Sequence, residues 1–306
     1  MDQKHMMTAA IDESKQLTRA LVLGGGGPVG RAWQAGLVSN LVAKGIALRT
    51  ADLILGTSAG AIVGAQLALD LDLVIAAPGP GAPAPGPAPA PSNGMGELIR
   101  ATAQASRASA PESFRQTIGQ FALKAATPSE DQSIQRLDIL ANRDWPANFR
   151  ATAVNVRTGE SIVWHRGSGA PLDRAVASSC ALPSVWPPIT IGGERYMDGG
   201  MRSMLNADLA AGHTAVIVVS CFALALPEGV RNEDREALNA QLNAEIAALR
   251  ESGARVNVIT PSEEFLGLTQ FGAKMLDPSL IPDAFQLGGQ QALLEAARLD
   301  HIWYHN

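Results

Sequence analysis

Short β-branched runs alternate with longer stretches of helical periodicity along this chain. Arg19 to Leu23, Asp52 to Leu55, Ala151 to Val156, Ala215 to Cys221 and Val256 to Thr260 read as strands, several of them apolar at consecutive positions. That pattern suits strands covered on both faces, as in a parallel sheet. Between the first two, Ala32 to Ala43 sets Trp33, Leu37 and Leu41 at four-residue steps, which predicts a helix with one apolar stripe on the sheet. Strand, helix and strand then form a right-handed crossover. Thr158-Gly159 separates Val154-Asn155-Val156 from Ile162-Val163-Trp164 and predicts a hairpin. Leu238, Leu242, Ile246 and Leu249 mark a later amphipathic helix, whose polar side lacks the Lys/Arg row of a membrane-surface helix. The fold class expected is α/β, a three-layer α/β/α arrangement with a mainly parallel central sheet.

The 306 residues suit one such domain over 19–306, preceded by a tail, 1–18. Every residue from Ala76 to Pro91 is Ala, Gly or Pro, a composition that sustains neither helix nor ladder and predicts a surface insertion, either an inert loop or a lid. Residues Met1 to Gln16 lack the apolar core of a secretory signal, and Ala215 to Leu226 is too short to span a bilayer. A cytoplasmic protein is expected, with any membrane contact transient and peripheral. Balanced charge, 24 basic against 29 acidic residues, offers no phosphate-neutralising face, so nucleic acid is not an expected partner. Cys180 and Cys221 sit in no metal-ligand spacing and read as buried small residues; no cofactor or metal is predicted.

Three segments carry chemistry. Gly56-Thr57-Ser58-Ala59-Gly60 follows a strand and precedes the helical stretch Ala61 to Ala68, the context of a nucleophile elbow in which a tight turn pushes the Ser58 hydroxyl outward. Upstream, Leu21-Val22-Leu23 runs into Gly24-Gly25-Gly26-Gly27-Pro28-Val29-Gly30 and a helix. Consecutive glycines let backbone N–H groups converge, and the helix start adds positive potential, so this is an anion site fit to hold an oxyanion. The third is Asp198-Gly199-Gly200, a carboxylate on a glycine turn reached from a strand through Tyr196 and Met197.

Together these segments resemble the patatin-like phospholipase family, which pairs a glycine-rich oxyanion loop with a GxSxG serine and an aspartate in a DG[GA] turn. The resemblance runs from about Arg19 to Asp208 and includes Ala177-Ser178-Ser179-Cys180-Ala181-Leu182-Pro183, similar to the family's segment leading toward the aspartate. It implies Ser58 as nucleophile, Asp198 as base, Gly25, Gly26 and Gly27 as oxyanion donors, and hydrolysis of a lipid or other acyl ester without histidine. The family usually carries Arg or Lys immediately before the last loop glycine; Val29 stands there, and Arg31 follows Gly30. For a carboxylate to deprotonate a serine, burial must raise its basicity, so low water access at Asp198 is expected.

Other readings use the same residues. A general carboxylesterase or thioesterase needs the same dyad, and a non-catalytic lipid-binding protein needs only the pocket. A serine, aspartate and histidine triad would draw on His213, His301 or His305, whereas His165 and His213 read as strand-end residues. Gly25, Gly27 and Gly30 also spell GxGxxG with Asp52 about 20 residues beyond, the spacing of a dinucleotide site. Asp52, however, begins the second strand, whereas the ribose-binding acid belongs at a strand's far end.

Overall fold

The computed structural model describes residues 17–73, 100–101, 103–104, 107–225 and 232–304. The Ala/Gly/Pro segment 76–91, His305 and most of the 1–18 tail lie outside the described residues. In chain order the elements are β1 (Arg19–Leu23), α1 (Gly27–Ala43), β2 (Leu53–Gly56), α2 (Ala59–Ala68), α3 (Pro111–Lys124), α4 (Glu130–Gln135), β3 (Phe149–Asn155), β4 (Ser161–Trp164), α5 (Leu172–Ser179), β5 (Ile189–Ile191), β6 (Glu194–Asp198), β7 (Ala215–Val219), α6 (Glu233–Glu251), β8 (Arg255–Ile259), α7 (Glu263–Leu268) and α8 (Ile281–Tyr304). One eight-stranded sheet with helices on both faces makes the three-layer α/β/α fold.

Strands β3, β2, β1, β7 and β8 are neighbours in that order and run parallel. At the centre, Leu21, Leu23 and Ile54 are fully buried, and burial of such side chains contributes roughly 1.5–3 kcal/mol each before ordering entropy is charged against it. The predicted hairpin forms: β3 pairs antiparallel with β4, and Gly159 takes φ +70° at its turn, where a side chain would be strained. Leu238, Leu242, Ile246 and Leu249 are buried along α6, which Asn232 caps by accepting from the Arg235 N–H at 3.0 Å.

The strand ends decide what the sheet can do. Ala151 pairs with both Gly56 and Trp164, and Ala153 pairs with both Ile162 and Asp198. A strand has two edges, so β4 takes one edge of β3, and β2 and β6 share the other. Strand β2 runs parallel to β3 and β6 antiparallel, so their C-terminal ends meet head to head beside Thr152. The polypeptide leaving β2 carries Ser58, and β6 ends on Asp198.

Two features differ from the sequence expectation. Helix α1 starts inside the glycine run, at Gly27, with Pro28 in its first turn, where a missing N–H removes nothing. The 24-residue α8 was not foreseen. It crosses α1 so closely that Gly36 abuts the Phe285 carbonyl and Gly288 abuts the Trp33 carbonyl, leaving no room for a Cβ on either. Among the described residues, no helix is long and apolar enough to cross a membrane.

Candidate active site

Ser58 sits between β2 and α2 at φ 52° and ψ −117°, a backbone conformation that side chains rarely adopt. The surroundings hold it there. Its N–H donates to Ser179 Oγ at 2.9 Å, and its carbonyl accepts from Cys180 Sγ at 3.2 Å and from the Ala61 N–H at 2.9 Å. Gly56 and Gly60 flank it because a Cβ on Gly56 would collide with Ala61 and one on Gly60 with the Leu23 backbone. Strain at an over-determined position of this kind marks functional sites.

Asp198 is 1% exposed. Its N–H donates to the Ala181 carbonyl at 3.0 Å, and Oδ1 accepts from the Gly200 N–H at 2.7 Å. Oδ2 is buried and has no partner of good hydrogen-bond geometry among the described residues, yet the Ser58 hydroxyl is near enough to favour the carboxylate. Burial drives the Asp198 pKa from the ordinary 3.8 up to about 7, against the smaller opposing effects of the Gly200 N–H and the Ser58 hydroxyl.

A buried polar clamp ties the two strand ends together. Thr57 Oγ1 and Thr152 Oγ1 lie 2.9 Å apart, and Asn206 Nδ2 donates to Thr57 Oγ1 at 3.0 Å and to the Ser203 carbonyl at 2.6 Å. Asn206 itself adopts a left-handed conformation, φ 54°, that Asn tolerates better than most residues. Sequence reasoning missed Asn206, Thr152, Ser179 and Cys180 as parts of this scaffold. The Ser178-Ser179-Cys180 run was visible, but which backbone groups it meets is a tertiary fact.

The glycine loop lies against Ser58. A Cβ on Gly25 would stand 3.4 Å from Ser58 Cβ, and one on Gly26 would stand 2.5 Å from Cys221 Sγ. The donors are not equivalent. Gly24 N–H donates to the Val219 carbonyl at 3.0 Å and Gly25 N–H to the Met204 carbonyl at 2.8 Å, so both are committed. The Gly26 and Gly27 N–H groups, at the start of α1, have no backbone acceptor among the described residues. Val29 is fully buried.

An apolar cavity of about 200 Å³ opens beside the aspartate turn, lined by Ile118, Phe121, Leu182, Pro183 and Met201 among others. Leu182 follows the residue that holds Asp198 N–H, and Met201 follows Gly200. The competing residues are placed elsewhere. Asp52 Oδ2 accepts from the Arg19 N–H at 2.7 Å, at the opposite end of β1 from the glycine loop. His213 precedes β7 and contacts the Ala210 carbonyl at 3.0 Å, again at the strand starts. His301 lies on the last turn of α8, whose Trp303 carbonyl accepts from Arg19 Nε, and His165 is exposed.

Fold and site together define an α/β protein with a serine elbow, a buried aspartate on a glycine turn and a glycine-rich loop beside the serine. Residues 88–211 match the family model described as Patatin-like phospholipase, a stretch that contains Asp198 and lies downstream of Ser58. Among curated proteins it is 26% identical over 199 residues to uncharacterized NTE family proteins of Mycobacterium bovis and Mycobacterium tuberculosis, covering 63% of this chain and 28% of each relative. The match thus spans little more than a quarter of those relatives. Among solved structures, VipD from Legionella pneumophila aligns with a TM-score of 0.40 at 13% identity, over 92% of this chain and 67% of that one.

Proposed function

We propose that this protein is a serine acyl hydrolase acting on carboxylic esters of lipids, with Ser58 as nucleophile and Asp198 as its base. The observation that carries the reading is the head-to-head meeting of β2 and β6, which brings a strained serine beside a buried carboxyl group whose Oδ2 is otherwise unpartnered. Ser58 Oγ attacks the ester carbonyl while Asp198 Oδ2 takes its proton. Asp198 returns that proton to the departing alcohol, and water then attacks the acyl-serine, releasing the fatty acid. With a pKa of about 7 Asp198 is a far better base than an ordinary aspartate, yet still largely ionised above neutrality.

The developing oxyanion is assigned to the Gly26 and Gly27 N–H groups, with the start of α1 behind them. Gly25 leaves the donor set, because its N–H holds the Met204 carbonyl. The acyl chain is assigned to the apolar cavity against Leu182 and Met201. Exposed Phe121 at its rim suits a transient contact with a lipid surface. The test is labelling with a fluorophosphonate probe, with the modified residue located by mass spectrometry. Label at Ser58, and a fall in ester turnover of at least about 100-fold in both Ser58→Ala and Asp198→Asn, is the expected result. Label elsewhere, or turnover retained in both variants, refutes it.

A further inference from the structure

The segment 199–208, which follows β6, reaches all three parts of the candidate site. The Gly200 N–H donates to Asp198 Oδ1 at 2.7 Å, the Met204 carbonyl accepts from the Gly25 N–H at 2.8 Å, and Asn206 Nδ2 donates to Thr57 Oγ1 at 3.0 Å. Base, glycine loop and elbow therefore share one support. The segment belongs to no strand of the sheet, so its position depends on side-chain ties. Some are internal. Ser203 Oγ accepts from the Leu205 and Asn206 N–H groups at 3.1 and 3.0 Å, and Arg202 Nη1 donates to Asn206 Oδ1 at 2.8 Å while its fork grips the Asp208 carboxylate at 2.9 and 2.6 Å.

The external ties come from α6. Glu245 Oε2 accepts from the Ala207 N–H at 2.9 Å, and Gln241, one helical turn earlier on the same face, donates Nε2 to the Arg202 carbonyl at 2.8 Å. The Ser203 hydroxyl, having accepted two N–H groups, also hydrogen-bonds Glu245. Burial pushes the Glu245 carboxyl group from 4.5 up to about 7, against the opposing effects of the Ser203 hydroxyl and the Ala207 N–H. A carboxyl group in such surroundings loses free energy when its donors move away, which holds those donors to one geometry.

We propose that Glu245 is a positioning residue of the hydrolase, fixing the 199–208 segment against α6 and thereby aligning the elbow and the glycine loop with the base. This rests on the acyl hydrolase reading. Ala207, whose N–H Glu245 holds, follows Asn206, and Asn206 reaches the residue before Ser58. Ser203 precedes Met204, whose carbonyl holds Gly25. Loss of one carboxylate thus loosens two of the three segments, whereas the contact of Gly200 with Asp198, two residues apart, is local and survives. A shift of about 1 Å in a catalytic constellation costs roughly 100-fold in rate. Glu245 does not line the apolar cavity, so the loss falls on kcat and not on KM.

The test measures kcat and KM on 4-nitrophenyl butyrate, the rate of fluorophosphonate labelling at Ser58, and Tm. Glu245→Ala is expected to lower kcat about 10- to 100-fold with KM within about twofold, and to slow labelling by a similar factor. Glu245→Gln, which keeps an acceptor at the same reach, recovers most of both losses. Glu245→Asp keeps the charge but is one methylene shorter, and recovers less. A Glu245→Ala protein with wild-type kcat, or with its loss confined to KM, makes Glu245 a stability contact only and overturns the proposal, whatever its Tm. If Glu245→Ala does not fold, the other two variants decide: kcat lower in Glu245→Asp than in Glu245→Gln upholds the role, and equal values overturn it. A wild-type protein that neither cleaves the ester nor takes the label ends the hydrolase reading instead. The coupling is then read from hydrogen exchange of a peptide covering residues 24–30, which contains the Gly25 N–H held by Met204. Faster exchange there in Glu245→Asp than in wild type upholds the coupling, and equal exchange overturns it.

Discussion

Asp198 ties activity and stability to pH in opposite directions, and the structure sets the size of both effects. Its pKa rises from 3.8 to about 7 because the folded protein buries the carboxyl group. Between those values the unfolded chain has lost the proton while the native state keeps it. Native protein therefore binds more protons there, and stability falls as pH rises through the window, levelling off above about pH 7. At about 1.4 kcal/mol per pH unit the full loss is on the order of 4 kcal/mol. Asp198→Asn removes the titration. Its amide keeps an acceptor for the Gly200 N–H but places an unpartnered NH₂ where Oδ2 was, a pH-independent penalty of about 1–3 kcal/mol. The penalty cancels in a comparison across pH, so the stability of Asp198→Asn relative to wild type should improve by about 3 kcal/mol between pH 5 and pH 8. Urea unfolding of both proteins at the two pH values measures this. In the same interval kcat/KM of the wild type should rise, by about tenfold from pH 6 to pH 8, as the base ionises. A relative stability that does not change with pH, together with a flat activity profile, would refute the raised pKa and the role built on it.

Gly26→Ala should reduce kcat at least about 100-fold with the fold retained, since a Cβ 2.5 Å from Cys221 Sγ must displace the loop that carries two proposed oxyanion donors; circular dichroism and turnover together check it. Asn206→Ala should destabilise the protein by about 1–3 kcal/mol and slow fluorophosphonate labelling of Ser58, because it strips the clamp between Thr57 and the Ser203 carbonyl. A normal labelling rate would show that the clamp does not position the nucleophile. Ser58→Gly should abolish turnover while raising stability by about 1–3 kcal/mol at the strained φ of 52°, read as an upward shift in Tm.

Much of this protein is legible in the chain itself. The apolar β-branched runs determined the core strands to within two residues, since a run such as Ala215-Val216-Ile217-Val218-Val219 has nowhere to go but between two layers. The three glycine-bearing segments marked the proposed nucleophile, base and oxyanion loop, because each needs a backbone geometry or a close approach that side chains forbid. What the chain could not reveal is how those segments share donors and neighbours. That the Gly25 N–H is taken by Met204, that α8 packs on α1, and that Cys180 holds Ser58 and Asn206 holds Thr57 all depend on contacts between residues far apart in sequence. The deciding fact is the shared edge of β3. Local pattern specifies that a strand forms and which faces it buries, but not which strand lies beside it, and only that pairing turns Ser58 and Asp198 into neighbours.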